Sequence, residues 1–143
     1  MKILIAISIV LSVAANTCAQ KYETYQKTEN VTFGYKWATA KNENRETVPA
    51  LLLSVKNEND YPIEYTMSVE MYYEGILRES ADLVNCVEAN KTRMGKLNGV
   101  FLTPAKFTAE QIKNKDFKLE LNEITVTKTE TCKEEATEEE IAE

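Results

Sequence analysis

Ile63-Glu64-Tyr65-Thr66-Met67-Ser68-Val69-Glu70-Met71-Tyr72-Tyr73 carries the plainest structural signal in the chain. Ile63, Tyr65, Met67, Val69, Met71 and Tyr73 alternate with Glu64, Thr66, Ser68, Glu70 and Tyr72. Successive side chains of a strand point to opposite faces, so one face is wholly apolar and the other mostly polar. That is the pattern of an antiparallel strand with one face in the core and one in water.

The neighbouring segments agree with it. Upstream, Asn57-Glu58-Asn59-Asp60-Tyr61-Pro62 is dense in turn formers and ends an earlier strand at residues 50–56. In that strand Leu51, Leu53 and Val55 share a face, and Pro49 sits at its start, where proline is tolerated. Residues 38–47 are polar without periodicity and read as a loop. Before them Val31, Phe33, Tyr35 and Trp37 alternate with Thr32, Gly34 and Lys36 as another half-buried strand. Residues 20–29 are polar and read as a lead-in segment.

Downstream, Glu74-Gly75 predicts a tight turn and Ile76-Leu77-Arg78-Glu79 the return strand of a hairpin. Leu83, Val84, Cys86 and Val87 predict a short strand, and Val100 to Leu102 a short apolar piece between turns at Gly99 and Pro104. Thr108-Ala109-Glu110-Gln111 is a capping-box pattern opening at most two helical turns. In the last strand Phe117, Leu119 and Leu121 hold one phase, while Ile124 and Val126 hold the other. The phase change at Asn122-Glu123 predicts a β-bulge.

Cysteines and termini set the compartment. Lys2, the apolar run from Ile3 to Val13 and Thr17-Cys18-Ala19 have the layout of a secretory signal peptide, residues 1–19, cleaved before Gln20. The run is too short to span a bilayer, which takes about 20 apolar residues. A cut after Ala15 would leave Cys18 in the mature chain; lipid attachment at Cys18 is disfavoured by Asn16 and Thr17 before it. Cys86 and Cys132 then form the expected disulfide of an exported domain. Residues 20–132 are almost charge-balanced, with 17 acidic and 15 basic side chains. Residues 133–143 carry six Glu and one Lys, so they read as a disordered acidic tail.

Together these features predict an all-β fold: a single immunoglobulin-like antiparallel β-sandwich over residues 30–132. It has about seven strands and one short helix before the last. The order of the Lys56-Asn57-Glu58-Asn59-Asp60-Tyr61-Pro62 turn, a long strand, the aromatic-Glu-Gly hairpin and the Ala89-Asn90-Lys91-Thr92 turn resembles small exported domains of FxLYD type. The resemblance implies an immunoglobulin-like or fibronectin-like sandwich and no particular activity. Two departures accompany it. Met71-Tyr72-Tyr73-Glu74-Gly75 stands where the F-x-L-Y-D string would be, and the cysteine pair is not part of that pattern.

Chemistry is sparse. The chain has no His, which removes the commonest general base and transition-metal ligand. Ser54, Ser68 and Ser80 lack a Gly-x-Ser-x-Gly context, and the four glycines form no phosphate cradle. No clustered Lys and Arg mark a nucleic-acid footprint. No catalytic residue, metal site or cofactor is expected. The Asn57–Asp60 cluster is the nearest approach to hard-cation ligands, but a Ca²⁺ site needs six to eight converging oxygens, and a turn explains the run. Tyr61, Tyr65, Tyr72, Tyr73 and Trp37 are candidates for a carbohydrate or peptide surface; Tyr65 and Tyr73 fall on the core face, which leaves Tyr61 and Tyr72 as the surface candidates. Asn30-Val31-Thr32 and Asn90-Lys91-Thr92 fit the N-glycosylation sequon, which has meaning in a eukaryotic secretory pathway. The functional expectation is an exported (secreted, periplasmic or cell-surface) non-catalytic module that binds a protein, peptide or glycan. The alternative is a structural or accessory subunit of a cell-envelope assembly.

Overall fold

A computed structural model describes residues 21–132. The expected leader and acidic tail lie outside the described residues. Eight strands and two one-turn helices follow in the order β1 (Glu23–Thr28), β2 (Val31–Lys41), β3 (Thr47–Asn57), β4 (Ile63–Tyr73), β5 (Ile76–Val87), β6 (Thr92–Arg93), α1 (Gly95–Asn98), β7 (Val100–Leu102), α2 (Ala109–Ile112) and β8 (Phe117–Lys128). They form two antiparallel sheets. One runs β1-β2-β3-β6, with β7 also on β3; the other runs β5-β4-β8. The architecture is an immunoglobulin-like sandwich.

The alternating strands face each other across the core. Ile63, Tyr65, Met67, Val69 and Met71 of β4 are buried against Val31, Phe33, Leu51, Leu53 and Val55 of the other sheet. Phe33 meets Tyr65 edge-on at 5.5 Å between ring centres, and Trp37 meets Phe117 at 5.6 Å. Each large aliphatic side chain so buried contributes about 1.5–3 kcal/mol, which is why the two strictest alternations, β2 and β4, lie in opposite layers.

Three local expectations hold. The β4–β5 turn places Glu74 and Gly75 at φ of 52° and 75°, the paired positive values of a type I′ turn. Thr108 caps α2 with a complete capping box. In β8 the register against β4 slips between Thr66 and Ser68, with Glu123 at φ 51°. The bulge lets Leu121 and Val126 both face inward.

Three expectations are corrected. The lead-in segment 20–29 contains strand β1, paired to β2 from Glu23↔Tyr35 to Thr28↔Val31. Its side chains are exposed apart from Thr28, so an edge strand held by its backbone gave no apolar alternation. Residues 38–47 are not all loop: β2 and β3 stay paired out to Lys41↔Thr47. The two short pieces expected at 76–79 and 83–87 are one strand, β5, broken in phase by a bulge where Arg78 lies between the pairs Tyr72↔Leu77 and Met71↔Glu79. Helix α2 is a single turn, within the two turns its capping box allowed. No helix among the described residues is long and apolar enough to cross a membrane.

Candidate functional site

The Asn57–Asp60 turn closes one pole of the sandwich from within. Asn57 is buried, and its Nδ2 donates to the backbone oxygens of Tyr61 (2.9 Å), Glu88 (3.1 Å) and Val87 (3.2 Å). Its Oδ1 accepts from the backbone N–H and Nδ2 of Asn59 at 3.0 and 3.1 Å. Asn59, also buried, donates to Glu29 O at 2.8 Å. The two amides therefore tie the β1–β2 turn, the β3–β4 turn and the end of β5 together. Glu58 points outward between Lys27 and Lys56, at 2.5 and 2.7 Å, and these two ammonium groups hold its carboxyl at about 2. Among the described residues no group of three or more His, Cys, Asp or Glu is placed to hold a metal ion.

Tyr61 lies in the turn before β4 and Tyr72 near its far end, and the strand from Ile63 to Tyr72 alone spans roughly 30 Å at a rise of about 3.3 Å per residue. Tyr61 is half-buried; its ring packs on the core cluster, with Lys128 Nζ 4.5 Å above its centre. Tyr72 lies on the outer face of its sheet. Its hydroxyl donates to Glu70 Oε2 at 2.5 Å, which raises its pKa to about 12. Asn122 Nδ2 bridges Glu70 and Glu120 at 2.9 and 3.0 Å, and Lys118 pairs with Glu120. The hydrogen bonds from Lys118 and Asn122 lower the Glu120 pKa. This face is an internally hydrogen-bonded polar network, with two carboxylates and one ammonium group, that presents Tyr72 half-covered.

A concavity lies at the other pole. Trp37 meets Phe117 at the start of β8, so the β2–β3 hairpin beyond Trp37 runs past the end of the facing sheet. Its inward residues there lack a strand opposite them. The short helix α2 covers them only in part, leaving a cleft of about 620 Å³, within the range of small-ligand pockets. Trp37, Ala38 and Pro49 line it from the hairpin, Ala109 and Ile112 from α2. Thr39, Lys36 and Lys113 supply its polar groups, and none of the described lining residues is acidic. Trp37 is the chain's sole tryptophan. Phe117, its edge-on partner, in turn meets Phe107 edge-on at 5.2 Å. Sequence reasoning named Trp37 among the surface aromatics but not its partners; α2 reaches it only through the tertiary fold. The capping box was the one local sign that a rigid element stood there.

Cys86 and Cys132 form the expected disulfide, with 5.5 Å between Cα atoms. Compared with family models, curated proteins and solved structures, the chain has no significant match.

Proposed function

We propose that this chain is an exported, non-catalytic binding module that takes an apolar segment bearing an acidic group, from a protein or peptide partner, in the Trp37 cleft. The observation that carries the reading is the open end of the sandwich, where an apolar cleft of about 620 Å³ is lined by Lys36 and Lys113 and by no acidic side chain among the described lining residues. Apolar walls with a few placed polar groups are the usual form of a ligand site. The cationic rim on a chain of net charge −6 sets the sign of the ligand. Export rests on the leader pattern of residues 1–19 and on the cysteine pair. In this reading residues 30–132 are the working domain, with β1 added at its edge, and residues 133–143 a solvated tail. The strand and turn order supports a relation to FxLYD-type domains.

Titration with peptides that combine apolar and acidic residues tests the reading, with Trp37 emission as the signal. A saturable shift is expected, and Lys113→Glu should weaken binding several-fold. Equal binding by wild type and variant, or tighter binding of basic peptides, would refute it.

The second reading, a subunit of an envelope assembly, draws support from β5. This edge strand exposes Ile76, Leu77 and Val84, the last at 60%, and an unpaired edge can accept another strand. Co-purification of a stoichiometric complex from native envelope would favour it over the cleft.

A further inference from the structure

The two sequons lie far apart in sequence but meet at one pole. Asn30 turns the β1–β2 hairpin and Asn90 the β5–β6 connection, both exposed, at φ of 60° and 55°. Their backbones bond to adjacent residues of the same turn: Glu58 N–H donates to Asn30 O, and Asn90 N–H donates to Asn59 O, each at 2.9 Å. Val31 and Lys91 occupy the middle positions, and Thr32 and Thr92 the third, so neither sequon is blocked by proline. This is the pole closed by the Asn57–Asn59 amides, opposite the Trp37 cleft.

From this placement we propose that Asn30 and Asn90 are both N-glycosylated, and that the paired glycans cap the closed pole and leave the cleft as the accessible end. The proposal rests on the export reading above. The donor is an oligosaccharide on a lipid pyrophosphate, met in a eukaryotic secretory pathway. The Asn Nδ2 forms a bond to the anomeric carbon while the bond from that carbon to the pyrophosphate oxygen breaks; the lipid pyrophosphate departs, and one amide proton is released. The fold accommodates the product at both positions. Asn30 Nδ2 donates to Asn59 Oδ1 at 3.4 Å, and a glycosylated amide keeps one N–H for that bond. Asn90 is held through its backbone, which leaves its exposed side chain free to carry a bulky hydrophilic group. The buried amides of Asn57 and Asn59 belong to no sequon, so the modification leaves the inner hydrogen bonds intact.

The test is expression of the full chain, with its own leader, in a eukaryotic secretory host, with intact mass measured before and after peptide-N-glycosidase. Two glycans are expected on the secreted protein. Asn30→Gln and Asn90→Gln should each remove one, and the double variant both. A secreted chain of unmodified mass overturns the proposal, and occupancy at one position overturns the paired cap. Retention inside the cell would instead count against the chain's own leader. The same chain behind a heterologous leader then decides glycosylation by the same masses: two glycans support it, and none or one refutes it.

Discussion

Asn57 is the residue on which the closed pole depends. Its single amide satisfies three backbone carbonyls and receives two donors from Asn59. Asn57→Ala would strand those carbonyls in a buried site, where each unmet polar group costs about 1–3 kcal/mol. A loss of about 2–4 kcal/mol in urea unfolding is expected, and a loss under 1 kcal/mol would show that water replaces the amide. Tyr65 makes a second residue-scale prediction. Burial raises its pKa to about 12 from the ordinary 10.0. Between those values the unfolded chain has lost the proton and the folded chain keeps it, so stability is full below pH 10 and falls as pH rises towards 12. The two-unit shift corresponds to about 2–3 kcal/mol. Alkaline unfolding of wild type against Tyr65→Phe measures it, and the variant should be the less pH-sensitive of the two. Of these two residues, Tyr65 was legible as core from strand alternation alone. Asn57 was legible only as a turn former, because its carbonyl partners are up to 31 residues away in sequence.

At the scale of elements, legibility followed side-chain periodicity. β2, β3, β4 and β8 could be read because burial of one face imposes alternation, and even the β8 bulge left its mark as a phase change at Asn122-Glu123. β1 could not be read, since its exposed Glu, Gln and Lys side chains suit an edge strand, and its pairing is made by the backbone. Gly34 is where β1 depends on a side chain that is missing. A Cβ at Gly34 would lie 2.8 Å from the backbone oxygen of Glu23 and 2.9 Å from Ser54 Oγ. Ser54 Oγ can rotate away, but the Glu23 carbonyl can move only with the strand. Gly34→Ala should therefore loosen the start of β1 at a cost of about 1–3 kcal/mol. Hydrogen exchange at the β1 amides should quicken, while β4 keeps its protection. Unchanged β1 protection would mean that the Glu23–Tyr35 end of the ladder is already open in the wild-type protein.

For the whole molecule, the two-layer plan was legible because two strands of strict alternation cannot bury their apolar faces except against each other. The cleft was not, because it arises where the paired length of one sheet exceeds that of the other, a property of tertiary register. The disulfide sits between these cases: its pairing followed from counting cysteines, its mechanical role only from the topology. Cys86 is at the end of β5 and Cys132 just beyond β8, and these are the two edge strands flanking β4. The bond thus crosses the start of β4 and joins edges that share no backbone ladder. The segment it closes, 46 residues by sequence separation, contains β6, α1, β7, α2 and β8. Reduction releases that whole stretch in the unfolded state and should cost on the order of 2–4 kcal/mol. A domain of this size holds about 5–15 kcal/mol in total, so the reduced protein is expected to stay folded and to melt clearly lower. The β4–β8 ladder runs from Ile63↔Lys128 to Tyr73↔Phe117 without help from the bond, and the Thr129 amide extends it to Pro62 O; these amides should stay protected after reduction while residues 130–132 exchange freely. Thiol titration of the denatured, unreduced protein checks the premise. Two reactive thiols per mature chain would remove the bond, and one would place the leader cut at Ala15 with Cys18 retained. If the bond is present and a Cys86→Ala/Cys132→Ala variant melts with wild type, the cross-link does not restrict the unfolded chain. The stability of the sandwich would then rest on the facing alternation of β2 and β4 alone.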